Sequence, residues 1–178
     1  MSSDATPIDS ELAALRRCFR YITAARSIYL EFFSRLPPEA LQRDSGASYP
    51  SILDIFAHAL KAHQDWIQYA YRHGTRTRSK AAEWTLPEVQ QLALDIQQLL
   101  DEFLTSLTGN ELRAEFTFRW NPSDESSQVT YPTRDMLWHL VEEELQHRGE
   151  INAILWQMDI EPPIHDWLDW TAMGSADD

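Results

Sequence analysis

Only one of the 178 residues is a cysteine, Cys18. An intramolecular disulfide is therefore excluded, and the usage fits a reducing compartment. Long apolar runs are also missing, and none approaches the roughly 20 residues of a membrane span. The N-terminus, MSSDATPIDSE, lacks the basic and then apolar order of a secretory signal, which points to a cytoplasmic protein. Cations are scarce: 15 Lys and Arg stand against 28 Asp and Glu, a net charge of −13. A nucleic-acid-binding surface gathers Lys and Arg into a patch and draws affinity from counterion release. Here the clusters are short, Arg16, Arg17 and Arg20 and then Arg72, His73, Arg76 and Arg78. Direct nucleic-acid contact is not expected. No repeat or low-complexity tract is visible.

What is present suits a packed core. Apolar residues make up 43% and aromatics 11%, with seven tryptophans, well above a disordered composition. The length suits one domain over 1–178, with loosely packed ends at about 1–8 and 172–178.

Periodicity predicts four long helices. The first runs from about Asp9 to Arg35, with Ile8, Leu12, Leu15, Phe19, Ile22, Arg26, Tyr29 and Phe33 at three- and four-residue spacing. Asp9 or Ser10 caps it, and Pro37-Pro38 stops it. The second runs from Tyr49–Ser51 to about Arg72, with Gly74 as its stop and a polar loop at Thr75–Glu83. The third runs from Thr85 to Leu107, with an early proline at Pro87, and ends at Gly109-Asn110. Phe116, Phe118 and Trp120 then alternate with polar residues, Asn121–Asp124 makes a turn, and Gln128–Tyr131 alternates again, which predicts a β-hairpin. The fourth helix runs from Thr133 to Met158, with Met136, Leu137, Leu140, Val141, Leu145, Ile151, Leu155 and Met158 on its core side. The tail after Pro162-Pro163 carries two tryptophans and should pack back. The expected class is all-α, a four-helix bundle with a short hairpin before the last helix.

The fourth helix holds His139, Glu143 and His147 at i, i+4 and i+8, on one face. The outer two lie about 12 Å apart by helical rise, too far to share an ion held at about 2.0–2.2 Å. The usable half-site is therefore His139 with Glu143 or Glu143 with His147. Glu143 and His147 flank the apolar stripe. The second helix offers His63 near the middle of its stripe and His58 at the edge, and an edge position can reach a cleft between helices. By itself the pair also reads as an exposed ion pair, and Glu142-Glu143-Glu144 as a solvated face.

Two stretches add a resemblance. LWHLVEEELQHRGEINAILWQM, followed by EPP, resembles the last helix of the DinB/YfiT-like family, and SILDIFAHALKAHQDWI resembles its second. The hairpin before the last helix also matches, and the likeness covers about residues 10–168. It implies a divalent metal on three residues, one from the second helix and two spaced by four on the last, the later one opening the HRG element. These positions fall on His58, Glu143 and His147. The family commonly has histidine where Glu143 stands. Two histidines and a carboxylate still leave open positions and suit Zn, Ni, Mn or Fe. His139, His63 and Trp66 are then expected to support the ligands or line the cleft, and Arg148 to form an interhelical ion pair. Glu150 stands where the family usually has glutamine.

The implied protein is of the stress- or damage-induced DinB type, a metal-dependent enzyme acting on a small molecule. The implied reaction is transfer of a low-molecular-weight thiol, or hydrolysis, with a metal-activated nucleophile and Glu142 or Glu144 as a nearby base. The resemblance also implies a homodimer. The alternative is a dimeric bundle that binds metal or a ligand without catalysis.

Overall fold

The computed structural model describes residues 7–73, 84–163 and 165–172, with side chains from Ser10 onward. Its elements in chain order are α1 (Pro7–Phe33), α2 (Pro38–Gln42), α3 (Ile52–Gln64), a π-helix (Asp65–Tyr71), α4 (Leu86–Ser106), α5 (Gly109–Arg113), β1 (Glu115–Arg119), a 3₁₀ turn (Glu125–Ser127), β2 (Gln128–Pro132), α6 (Thr133–Gln157) and α7 (Trp167–Ala172). Helices α1, α3, α4 and α6 form the four-helix bundle. α3 packs on α4 and α6, and α1 closes the ring by packing on the same two. None of the described helices is long and apolar enough to cross a membrane.

Each long helix follows its stripe. Leu12, Leu15, Phe19, Ile22, Tyr29 and Phe33 of α1 are buried. The described part of α1 is helical from Pro7 onward, so Asp9 and Ser10, the two expected caps, lie inside the helix and not at its start. Ser51 caps α3 by accepting from the Asp54 amide at 3.2 Å. Thr85 and Glu88 form the capping box of α4, the reciprocal pairing that satisfies two orphan amides. The expected stop at Gly74, the loop at 75–83, Arg76, Arg78 and most of both expected loose ends lie outside the described residues.

Three boundaries differ from expectation. Gly109 opens α5 instead of ending α4, because Thr108 and Glu111 form a second capping box. Pro38 begins α2 at a helical N-terminus rather than only stopping α1. The second helix reaches Tyr71, but from Asp65 it widens to π geometry, closed by the Arg72 amide on the Ile67 carbonyl at 3.0 Å. α6 ends at Gln157, within a residue of the expected Met158: Asp159, at φ 56°, takes the left-handed position, and the Ile160 amide bonds the Leu155 carbonyl at 3.0 Å, a Schellman closure.

β1 and β2 pair antiparallel, with Phe116 opposite Tyr131 and Phe118 opposite Val129. Phe116 and Phe118 are buried, and Trp66 of the π-helix packs edge-on against Phe118. The tail packs back as expected. The Tyr21 ring meets His165, Trp167 and Trp170, and its hydroxyl donates to the His165 carbonyl at 3.0 Å. The first basic cluster is used internally: Arg16 donates to the Leu104 and Leu107 carbonyls at the end of α4, and Arg17 lies over Trp167.

Candidate metal centre

α3 and α6 lie side by side, and this contact sets the distance between their histidines. His58 reaches from α3; Glu143 and His147 sit one turn apart on α6. One ligand atom from each lies within 4.8 Å of the other two. Glu143 Oε2 is 3.5 Å from His58 Nε2 and 3.3 Å from His147 Nε2. A tetrahedral ion with bonds of about 2.0–2.1 Å spaces its donors by about 3.3–3.4 Å, so the donor set fits a divalent cation. Glu143 Oε2 is buried and has no hydrogen-bond partner in the described structure. A buried carboxylate oxygen without a partner is costly, and here it faces two imidazole nitrogens without aligned hydrogen bonds.

The surroundings prepare the nitrogens to act as ligands. His147 Nδ1 lies 3.0 Å from Glu150 Oε2. A carboxylate can only accept, so the proton sits on Nδ1 and the Nε2 lone pair faces the cluster. Glu150 is itself held by the Ser48 amide at 2.8 Å and the Ser48 hydroxyl at 2.7 Å. Burial works against the Glu150 charge, but Ser48 and His147 outweigh it and lower its pKa. Burial, and then His147, lower the pKa of His58, which favours the neutral imidazole a metal needs. Tyr49 stacks on His58 with ring centroids 4.3 Å apart. Burial, Glu143 and Glu150 raise its own pKa.

The other sequence candidates are placed as follows. His139 is not within the three-donor group; its Nε2 is 3.6 Å from Glu143 Oε1 and its Nδ1 is 3.7 Å from Glu142. Trp66 packs edge-on against His139. His63 is fully buried against Phe19, with Nε2 3.2 Å from Glu144 Oε1 but outside hydrogen-bond alignment. Glu142 is exposed. Glu144 is held by Arg26 through two guanidinium nitrogens, so it is not free to serve the cluster as a base.

Four expectations on α6 are corrected. The acidic run is not one solvated face, because Glu143 and Glu144 are largely covered. His147 does not flank the core; it is 6% exposed and part of it. Leu145, expected inside, is 45% exposed. Arg148 makes its interhelical contact with Tyr21, donating to the hydroxyl at 2.6 Å and lying over the ring, and has no ion pair among the described residues. Sequence reading missed Tyr49, Glu150 as the partner of His147, and Arg26. The signals were there: Glu150 is i+3 from His147, and Arg26 is a lone cation inside an apolar stripe.

The family model described as DinB family matches residues 1–176, nearly the whole chain. No curated protein matches it.

Proposed function

This chain belongs to the DinB family, and from that and the three-donor cluster we propose a divalent-metal-dependent enzyme that acts on a small molecule in the cytoplasm. Transfer of a low-molecular-weight thiol is the favoured reaction, and hydrolysis is the second. The observation that carries the reading is the buried, unpartnered Glu143 Oε2 facing two histidine nitrogens. His58, Glu143 and His147 would hold the metal, as Zn, Ni, Mn or Fe(II). Bound there, the metal would supply the Lewis acidity that lowers the pKa of a thiol or water toward neutral pH.

The chain's own residues do the rest. Glu150 and Tyr49 fix the two imidazoles. His139, 38% exposed and with Nε2 3.6 Å from Glu143 Oε1, would take the thiol proton and pass it on to solvent. Sulfur then bonds to the electrophilic carbon as the leaving group departs with its electron pair, so no oxidant is needed.

A chlorodinitrobenzene probe with several small thiols tests this, alongside a nitrophenyl ester for hydrolysis. Turnover should require thiol, vanish with chelator and return with metal. His139→Ala should lower turnover by about 100-fold or more, the usual contribution of a positioned acid–base group, with metal content unchanged. No turnover with any thiol or ester favours the non-catalytic, metal-binding alternative.

The homodimer expectation acquires a specific surface. Trp138, Leu145, Gly149 and Trp156 share one narrow line on the outside of α6, since their spacings of seven, four and seven residues are near whole helical turns. Leu145 is 45% and Trp156 is 58% exposed, and a Cβ on Gly149 would meet nothing within 4 Å. The pattern is symmetric about position 147. An antiparallel pairing of two α6 helices there sets Trp138 against Trp156 of a second copy, and Leu145 against the open space at its Gly149. We infer that two copies pair in this register. Sedimentation should give a dimer for the natural chain and a monomer for Leu145→Glu/Trp156→Glu. A monomeric natural chain, or a dimer that survives both changes, overturns the pairing.

A further inference from the structure

Beside the donor cluster lies a second feature that coordination does not use. Trp66 stands at the centre of four rings: His139 at 5.2 Å, Trp120 at 5.1 Å, Phe118 at 5.4 Å and Tyr131 at 5.9 Å between centroids. Phe118 is buried and closes the floor. Trp120 is 43% and Tyr131 is 36% exposed, so the hairpin presents aromatic surface to solvent instead of packing it away. The patch is continuous with the cluster, because His139 Nε2 is 3.6 Å from Glu143 Oε1. Trp66 is carried on the π-helix, a wide turn that is rare in proteins and concentrates at functional sites.

We propose that this patch is the substrate's aromatic subsite: it receives an uncharged planar ring, an arene or heteroarene, while the reactive end of the same molecule reaches the cluster. Trp66 stands at 85° to Trp120 and 70° to Tyr131. Rings near right angles offer an incoming ring both a face to stack on and an edge to meet, the two arrangements aromatic pairs favour. A saturated ring of the same size gains only the burial of its surface. Charge narrows the class further. The Glu142 carboxylate borders the His139 end, so an anionic ring meets repulsion there, whereas the charge of Glu143 is taken up by the cation it would hold. A ring over Trp66 lies only a ring's width or two from Glu143, within reach of one molecule. The proposal rests on the metal-dependent reaction for its purpose, but ring binding is measurable without that reaction.

The test is titration calorimetry of the full chain with 1-naphthol, its saturated analogue decahydro-1-naphthol, and naphthalene-1-sulfonate. Naphthol should bind at least about fivefold tighter than the saturated analogue and tighter than the sulfonate. Trp120→Ala should weaken naphthol about tenfold, with metal content and far-UV circular dichroism unchanged, and Trp120→Phe should restore most of the loss. Equal affinity for the saturated analogue, no naphthol binding, or unaltered binding in Trp120→Ala overturns the subsite. A natural chain that binds naphthol but no metal sinks the proposed reaction alone. Stoichiometric metal without naphthol binding sinks the subsite alone.

Discussion

His147→Ala is expected to leave the protein without stoichiometric metal, and His58→Ala should do the same. Each variant removes one of three donors and leaves the buried Glu143 Oε2 with one fewer nitrogen to face. Four-ligand structural zinc sites are worth about 10–16 kcal/mol, so one donor accounts for about 3–4 kcal/mol, on the order of a 100- to 1,000-fold loss of affinity. Glu150→Ala should cost less, about 10- to 100-fold, because it releases the orientation and proton position of His147 but keeps the nitrogen. His139→Ala should keep the metal, since His139 lies outside the group. Elemental analysis of tag-free protein reads all four. Stoichiometric metal retained in both His58→Ala and His147→Ala would sink the site.

Arg26→Ala should be among the most destabilising single changes in the bundle. Arg26 is 5% exposed on the α1 core face and binds Glu144, which in turn meets the fully buried His63. Removing one partner of a buried pair leaves an uncompensated charge, at a cost of about 3–5 kcal/mol. For a chain of this length that is roughly 10 °C in Tm. Arg26→Met combined with Glu144→Leu should cost less than Arg26→Ala alone, because no charge is left stranded. Thermal and denaturant unfolding at neutral pH check both, and a loss under about 1 kcal/mol for Arg26→Ala would contradict the pairing.

The same trio sets an acid sensitivity. Burial, and then Arg26, pull His63 down to about 4 from 6.5. The unfolded chain takes up that proton first as the pH falls. The stability due to neutral His63 is therefore whole above about pH 6.5 and declines toward pH 4. Burial resists the Glu144 charge, yet Arg26 and His63 outweigh it and hold its pKa at about 2, so its contribution is present above about pH 4.5 and fades toward pH 2. His63→Gln should flatten the upper part of this decline.

The bundle was legible because four stripes repeat at helical period, and the hairpin because the period changed at Phe116. The site was legible only in part. Counting from Leu137 and Leu140 by threes and fours, the core line of α6 passes through Glu144 and His147 before reaching Ile151 and Leu155. Reading by residue type places the apolar Leu145 inside and Glu144 outside, and the structure has them reversed. A charged residue at a core register is the imprint of a buried partner, here Arg26 from another helix, and a single helix's pattern does not name that partner. The π-turn left no trace in the sequence, because Asp65–Tyr71 keeps an ordinary amphipathic look. Thr108–Glu111 was legible in principle: a capping box outranks a neighbouring glycine as a helix signal.

The short loop before α3 carries Ser48, which holds Glu150 and through it His147, and also Tyr49, which stacks on His58. The loop ends at the cap of α3, the helix that bears His58. Support for both histidines thus comes from one stretch outside the packed core. A change in the length or shape of this stretch would therefore alter the spacing of the three donors while leaving the packing of the four long helices as it is.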